Sequence, residues 1–400
     1  MGELKLPDSP WRRRAGLDTL TTALGAERGE VRYVGGAVRD TLLGIDVADV
    51  DVASVHLPDS MLALLKEAGI RVVPTGLKHG TVTAILESGP VEATTLRRDV
   101  DTDGRHATVA FTDDWKADAA RRDFTINALY ADPVTGTIFD YFGGLADLEA
   151  RRVRFIGDPL QRIAEDHLRI LRFFRFLARF GDTPDAQGLE ACVARANDLM
   201  ALSRERIADE LLKLLVARSA VPVVALMVER GVLLPVLPEI AAAGVEQLRR
   251  CVAVEEDAAI APDAIRRLAA LLPRDRQLAE NIGARLKLSN AQRKRLGSAV
   301  EPVLTSPDEM AYRLGREGAI DRLALDGQAQ AIRAVSEAEI PHFGLKGGAL
   351  IERGIAKGPD VARLLREIEN QWIADGFPGP ERVAQMADEK AAQALRSSSN

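Results

Sequence analysis

Hydrophobic and polar positions follow two regimes along this chain. In the first 150 residues the apolar positions come in short runs cut by Gly, Pro and charged pairs; beyond them they recur every three or four. Val31–Val34 alternates and is rich in β-formers, which predicts a buried strand broken at Gly35-Gly36. A short helix follows over Ala37–Leu43, with Gly44 at the position of a C-terminal cap. Next comes a strand that carries Asp49 and Asp51, with Val50 and Val52 turned the other way. Ser60–Gly69 predicts an amphipathic helix. Arg71–Val73, Thr81–Leu86 and Val91–Leu96 predict strands, the last two joined as a hairpin by the turn at 87–90. Arg97–Ala120 is charged and lacks a pattern, so it reads as a long loop of the kind used for lids. Phe124–Tyr130 reads as a helical segment and Asp132–Leu145 as a hairpin. The expectation is an α+β head with a small, mostly antiparallel sheet and no βαβ alternation of Rossmann type.

The second regime is helical. Arg162–Phe180 predicts one amphipathic helix: Leu168, Leu171, Phe174, Leu177 and Ala178 form its apolar stripe, and Asp166, Arg169, Arg172, Arg175 and Arg179 ride the other side. Ser203 is the expected N-cap of a helix that turns Ile207, Leu211 and Leu214 inward. Helix follows helix from there, without a fixed-period repeat, and the polar last fifteen or so residues are expected to fray. The C-terminal half is therefore all-helical, with no chemistry of its own.

Composition narrows the class. At 400 residues several domains are expected; 46% hydrophobic and 28% charged residues are the proportions of a globular protein in water. Cys192 and Cys251 stand far apart, outside any CxxC, and point to a reducing compartment and no metal cluster. There is no run of 18 apolar residues and no apolar signal region at the start, so no membrane span is expected and the cytoplasm is the expected location. A net charge of −6 argues mildly against nucleic acid. The distribution matters more. Between Arg151 and Arg179 eight arginines face only Asp158, Glu165 and Asp166, a local excess of five that suits either an anionic partner or a salt-bridged surface.

The candidate chemistry starts at Asp49 and Asp51. Two crowded carboxylates suit a divalent cation held by oxygen, or else a solvated strand face. Glu92, on a neighbouring strand, could complete that set or be an edge residue. Gly35-Gly36 lets backbone approach a bound group at a helix start, which favours phosphate, and Arg39 is one helical turn further in. Asp166 and Arg169 could together present an acceptor and a donor fork to the edge of a base; a salt-bridged linker helix is the alternative. No histidine is followed by Asp, and neither HExxH nor GxSxG occurs.

In order, GGAVRDTLLG, DVD, RRDFTINAL and EDHLRILRFFRF resemble the motifs of the class II tRNA nucleotidyltransferases and bacterial poly(A) polymerases, within the polymerase-β-like superfamily. The likeness spans residues 31 to about 215, with a further match around Gly344–Ile373. It implies a polymerase-β-like head over 1–150, a base-selecting neck over 151–220, a body over 221–330 and an RNA-binding tail over 331–400. It implies that Gly36 and Arg39 hold the triphosphate, that Asp49 and Asp51 bind Mg²⁺ with Glu92 close by, and that Arg122 contacts the nucleotide. Asp166 and Arg169 would select C or A by mimicking base pairing, with Arg172 and Arg175 as further nucleotide contacts. The stretch 97–120 falls where the family has a flexible loop involved in the change from C to A. The implied reaction is addition of CCA from CTP and ATP to the tRNA 3′ end, with poly(A) synthesis, or CC-only or A-only addition, as the rival. A non-catalytic RNA-binding role fits poorly with an intact Asp49–Asp51 pair. The missing HD motif sets the chain apart from members with a phosphohydrolase domain.

Overall fold

The computed structural model describes residues 4–102 and 107–398. The chain runs α1 (Leu17–Ala23), β1 (Val31–Val34), α2 (Gly36–Leu42), β2 (Asp51–Ser54), α3 (Pro58–Glu67), β3 (Arg71–Gly76), β4 (Thr81–Leu86) and β5 (Gly89–Thr95). Then come β6 (Arg97–Thr102), β7 (Ala107–Phe111), α4 (Trp115–Ala120), β8 (Leu129–Ala131), β9 (Ile138–Asp140), α5 (Gly144–Glu149) and β10 (Arg152–Val153). α6 (Pro159–Glu165), α7 (Arg169–Phe180), the two-residue β11 (Thr183–Pro184), α8 (Ala186–Ala194), α9 (Arg204–Leu215) and α10 (Ala220–Glu229) follow. The remainder is α11 (Ala242–Asp257), α12 (Ala264–Leu271), α13 (Arg276–Arg285), α14 (Asn290–Ala299), α15 (Pro307–Leu325), α16 (Ala329–Glu337), α17 (Gly347–Ile351), α18 (Pro359–Ala374) and α19 (Pro380–Ser398).

Two compact units result: residues 1–246 with 282–288, and residues 247–281 with 289–400. The first is built on a seven-stranded sheet in the order β3-β4-β5-β2-β1-β8-β9. All of its pairings are antiparallel except β2–β5, which runs parallel and sets Asp51 directly opposite Glu92. Val34, Ala53, Leu96 and Tyr130 on one face meet Ala119 and Trp115 of α4. Phe124, Phe155, Phe173 and Phe176 join α7 to this unit, Phe155 and Phe173 stacked at 5.5 Å and Phe124 tilted against Phe176 at 5.1 Å.

Four expectations change here. The strand with the acidic pair begins at Asp51, so Asp49 lies outside it. Continuing the β2–β5 register would set Asp49 against Pro90, which has no N–H to donate. Phe124–Tyr130 is one 3₁₀ turn (Thr125–Asn127) and then strand β8, placed between β1 and β9, where a fully apolar run is buried on both faces. The charged stretch after Arg97 is a two-stranded hairpin, β6–β7, followed by α4, although residues 103–106 of the expected loop lie outside the described residues. Finally, the expected helix 162–180 is two helices. α6 ends at Glu165, Asp166 is extended (φ −152, ψ 108), and α7 starts at Arg169. The Asp166 carboxylate accepts the Leu168 N–H at 3.1 Å, a local bond that competes with continuous helix.

In the second unit α15, not foreseen in the sequence, breaks at Gly315 (φ 75, ψ 163), a backbone conformation that side chains other than glycine's rarely allow. Beyond it a core of Leu350, Leu364, Ile368, Trp372 and Met386 forms with Tyr312 packed against it. Against the expected fraying, the described chain end is helical to Ser398, and α19 buries Met386, Ala387 and Ala391. Among the described residues no helix is long and apolar enough to cross a membrane.

Candidate active site

A cavity of about 450 Å³ opens in the first unit. Gly35, Gly36 and Arg39 line it from the start of α2, Asp51 from β2, and Arg121, Arg122, Asp123 and Asn127 from the segment after α4. Asp166, Arg169, Arg172 and Phe176 line it from α7 and the break before it, Arg206 from α9, and Arg97 from β6. Thus the fold gathers Gly35, Gly36, Arg39, Asp51, Arg122, Asp166, Arg169 and Arg172 around one space. Asp49, Glu92 and Arg175 are not part of its lining.

At the acidic end, Val50 and Val52 are buried and anchor Asp51 at the head of its strand. The Asp51 carboxyl is pushed up to about 6, by burial first and then by the Glu92 and Asp49 carboxylates, against the pull of Arg122. Among the described residues no three acidic, His or Cys side chains converge into a cage for a metal ion. Such a donor set suits a cation that takes one or two protein carboxylates and completes its shell with phosphate and water.

Next to it the glycine turn feeds α2. Gly35 has φ 67 and ψ −119, open only to glycine at low cost, and its N–H is donated to the Leu129 carbonyl at 3.1 Å. The first N–H groups of α2 have no intrahelical acceptor. Arg39 is only 6% exposed; its Nε donates to Asp40 Oδ1 at 2.7 Å, its Nη1 donates to Asn127 Oδ1, and its guanidinium lies 4.1 Å from the Phe180 ring centre. Arg122 is held from the other side: Nη2 donates to Asp118 at 3.2 Å and Nε to the Tyr130 hydroxyl at 3.1 Å. Burial works to raise the Asp118 carboxyl, but Arg122 and Arg121 hold it down at about 2. These contacts fix two guanidinium groups before any anion arrives.

On the α7 side the sequence reading is partly revised. Asp166 and Arg169 do not share a helix turn, and each has a partner elsewhere. Asp166 accepts from Arg206 Nη2 at 2.8 and 3.2 Å. Arg169 donates to Glu165 and to the carbonyls of Arg162 and Arg121. Arg172 pairs with Asp123 at 2.6 Å. Burial alone would raise the Asp123 carboxyl, but Arg172 and Asn127 bring it down to about 2. Arg175 turns to Glu210 at 2.6 Å, and Arg179 lies 3.5 Å from Asp40. The arginine-rich stretch is thus ion-paired throughout, and Asp166, Arg169 and Arg172 still line the cavity. Sequence reasoning missed Arg206, Asn127, Asp123 and Asp118. Arg206 lies forty or so positions beyond its partner, and Asp118 sits in the stretch read as loop.

A mixed sheet with an acidic strand end beside a glycine turn, an arginine-bearing helix and a helical wall is the architecture of a nucleotidyltransferase. Residues 31–154 match the Poly A polymerase head domain, and residues 183–243 match the model described as "Probable RNA and SrmB- binding site of polymerase A". The mouse and human proteins named "CCA tRNA nucleotidyltransferase 1, mitochondrial" are each 36% identical over 383 residues, covering 90% of this chain and 87% of their own length. A Geobacillus thermodenitrificans CCA-adding enzyme is 39% identical over 56% of this chain and 54% of its own. The fold matches that of the Bacillus stearothermophilus CCA-adding enzyme in complex with CTP, with TM-score 0.73 and 26% identity over 94% of this chain and 99% of that one. The chain belongs to the tRNA nucleotidyltransferase and poly(A) polymerase family.

Proposed function

We propose that this protein adds C, C and A in turn to the 3′ end of tRNA, taking the nucleotides from CTP and ATP and releasing pyrophosphate. The observation that carries the reading is one cavity whose lining brings together Asp51, Arg39, Arg122, Asp166, Arg169 and Arg172. Arg39 and Arg122, fixed by Asp40, Asn127, Asp118 and Tyr130, neutralise the triphosphate without having to be ordered at the moment of reaction. Asp51 and Asp49, with Glu92 beside them, would hold magnesium. When bound, the cation supplies charge neutralisation at the α-phosphate and a more acidic primer 3′-hydroxyl. Asp166, Arg169 and Arg172 meet the base edge, where a wrong base leaves buried donors and acceptors unpaired and is rejected.

In the same reading, residues 1–150 carry the chemistry, 151–220 the base selection, and 221–330 and 331–400 the grip on tRNA. That grip is local in charge, because the whole chain is acidic, and it weakens as salt rises. A reducing setting is supported by Cys192 and Cys251, both unpaired and buried; fractionation of the native host tests whether that setting is the cytoplasm.

The test offers tRNA lacking its 3′ end, with CTP and ATP separately and together, with magnesium and with chelator. Two C additions from CTP alone, a final A only when ATP is present, and loss of both with chelator are expected. A run of A on any RNA would instead mark a poly(A) polymerase, and a stop after CC or a need for a CC end would mark a partial enzyme.

A further inference from the structure

Arg206 and Glu210 stand one turn apart on α9, and together they hold both poles of the base-facing wall. Arg206 Nη2 donates to the two carboxylate oxygens of Asp166, at 2.8 and 3.2 Å. Glu210, 4% exposed, accepts from Arg175 at 2.6 Å and lies 3.8 Å from Arg172. Leu211 and Leu214 bury the helix beneath, and the Ser203 hydroxyl caps its start by accepting the Arg206 N–H. The register of α9 is thus fixed by its core and its cap, independently of any nucleotide.

Asp166 is held differently. It sits in the extended residue between α6 and α7, so no run of helix hydrogen bonds sets its direction. Its carboxylate has two restraints: the Leu168 N–H on Oδ1, and Arg206 on both oxygens. The Leu168 bond alone still allows the other oxygen to swing about the Cα–Cβ and Cβ–Cγ bonds. We propose that Arg206 is a positioning residue that aims the Asp166 carboxylate across the cavity, and that through Asp166 it decides which base is accepted. This rests on the proposed function, in that Asp166 is taken to meet the base. An acceptor that is misaimed by a fraction of an ångström bonds cytosine and uracil edges almost equally well, so selectivity falls before turnover does.

The experiment uses the full chain and two tRNA primers, one lacking the whole CCA end and one ending in CC. It measures kcat and KM for CTP, ATP, UTP and GTP, and thermal unfolding in parallel. Arg206→Ala is expected to lower the CTP-over-UTP and ATP-over-GTP ratios of kcat/KM by about tenfold to a hundredfold, mostly through KM for the correct nucleotides. Arg206→Lys, which keeps the ion pair, should regain most of the ratio. In Asp166→Asn the same Arg206→Ala change should add little, because the group it aims is already altered. Lys213→Ala, on the exposed face of α9, serves as the control for the helix. A uniform fall for all four nucleotides with an unchanged ratio and a lower Tm would overturn the inference, since that is what a merely structural salt bridge gives. So would selectivity lost equally in Arg206→Lys. If the unaltered chain adds neither C nor A to tRNA, the proposed function itself fails, and this is seen before any variant is compared.

Discussion

Asp51 is a residue that the fold treats unkindly. Its carboxyl is pushed up to about 6 by burial and by two neighbouring carboxylates, against about 3.9 in an unfolded chain. A raised carboxyl means that the folded state loses stability as pH climbs from about 4 to about 6, and stays lower above that. Asp51→Asn should therefore make the protein about 2 kcal/mol more stable at pH 7 and no more stable at pH 4, while nucleotide transfer falls by roughly a thousandfold or more. Denaturant melts at the two pH values, beside a transfer assay, check both halves. Asp118 is the opposite case. Its side chain, 2% exposed, carries Arg122, Arg121 and the Tyr130 hydroxyl. Asp118→Asn strands a guanidinium and is expected to cost about 2–4 kcal/mol, the smaller figures because Arg122 keeps some solvent. KM for the triphosphate should rise with it, since Arg122 is no longer aimed.

At the scale of elements, the glycine turn before α2 carries most of the consequence. Ala at Gly35 would meet no close atom, the nearest being Arg122 Nη1 at 3.5 Å, so space is not the obstacle; the φ of 67 is. Gly35→Ala should cost about 1–3 kcal/mol and tilt α2, dropping kcat/KM by about tenfold or more while the sheet persists. Nucleotide titration and circular dichroism separate the two effects. Elements with a strong local signature were legible in advance: Val31–Val34 and the Ser203 cap stand where strand and capping chemistry put them, and the expected hairpin is present, though its turn is Glu87-Ser88 alone and Gly89 and Pro90 already pair in β5. β8 was not, because FTINALY fits either period, with Phe124, Ile126, Ala128 and Tyr130 alternating and Ile126, Leu129 and Tyr130 at helical spacing, and only its place between two strands decides. The break at Asp166 was hidden for a related reason. The apolar stripe runs on through α6 and α7, and the interruption comes from one side chain bonding its own backbone.

For the whole molecule, the acid side of the stability curve is set by depressed carboxyls. Asp118 and Asp123 are both held at about 2. A depressed group contributes its stability above the unfolded value and loses it as pH falls through the folded one. The first unit should thus hold its denaturation midpoint down to about pH 4 and lose it steeply between pH 4 and pH 2, which urea titrations at pH 6, 4 and 3 measure. At this scale the sequence showed an α+β head and a helical remainder, since the two periodicities occupy separate halves of the chain. It did not show the network Arg172–Asp123–Asn127–Arg39–Asp40 that joins α7 to α2, because the two links that close it, Arg172–Asp123 and Asn127–Arg39, each span many residues and leave no periodic trace.

The one parallel pairing in the main sheet also bears on how the protein is made. β4 and β5 form a hairpin from neighbouring residues, but β2 meets β5 only after the intervening α3 and β3–β4 have been laid down, roughly forty residues later. Asp51 and Glu92 are therefore brought face to face by one of the slower closures in this half of the chain. Asp166 gains Arg206 only when a further forty or so residues have followed it. During synthesis from the N-terminus the acidic end of the cavity is complete well before its base-facing wall. A nascent or truncated chain that stops short of α9 would present an assembled acidic end with nothing to aim Asp166.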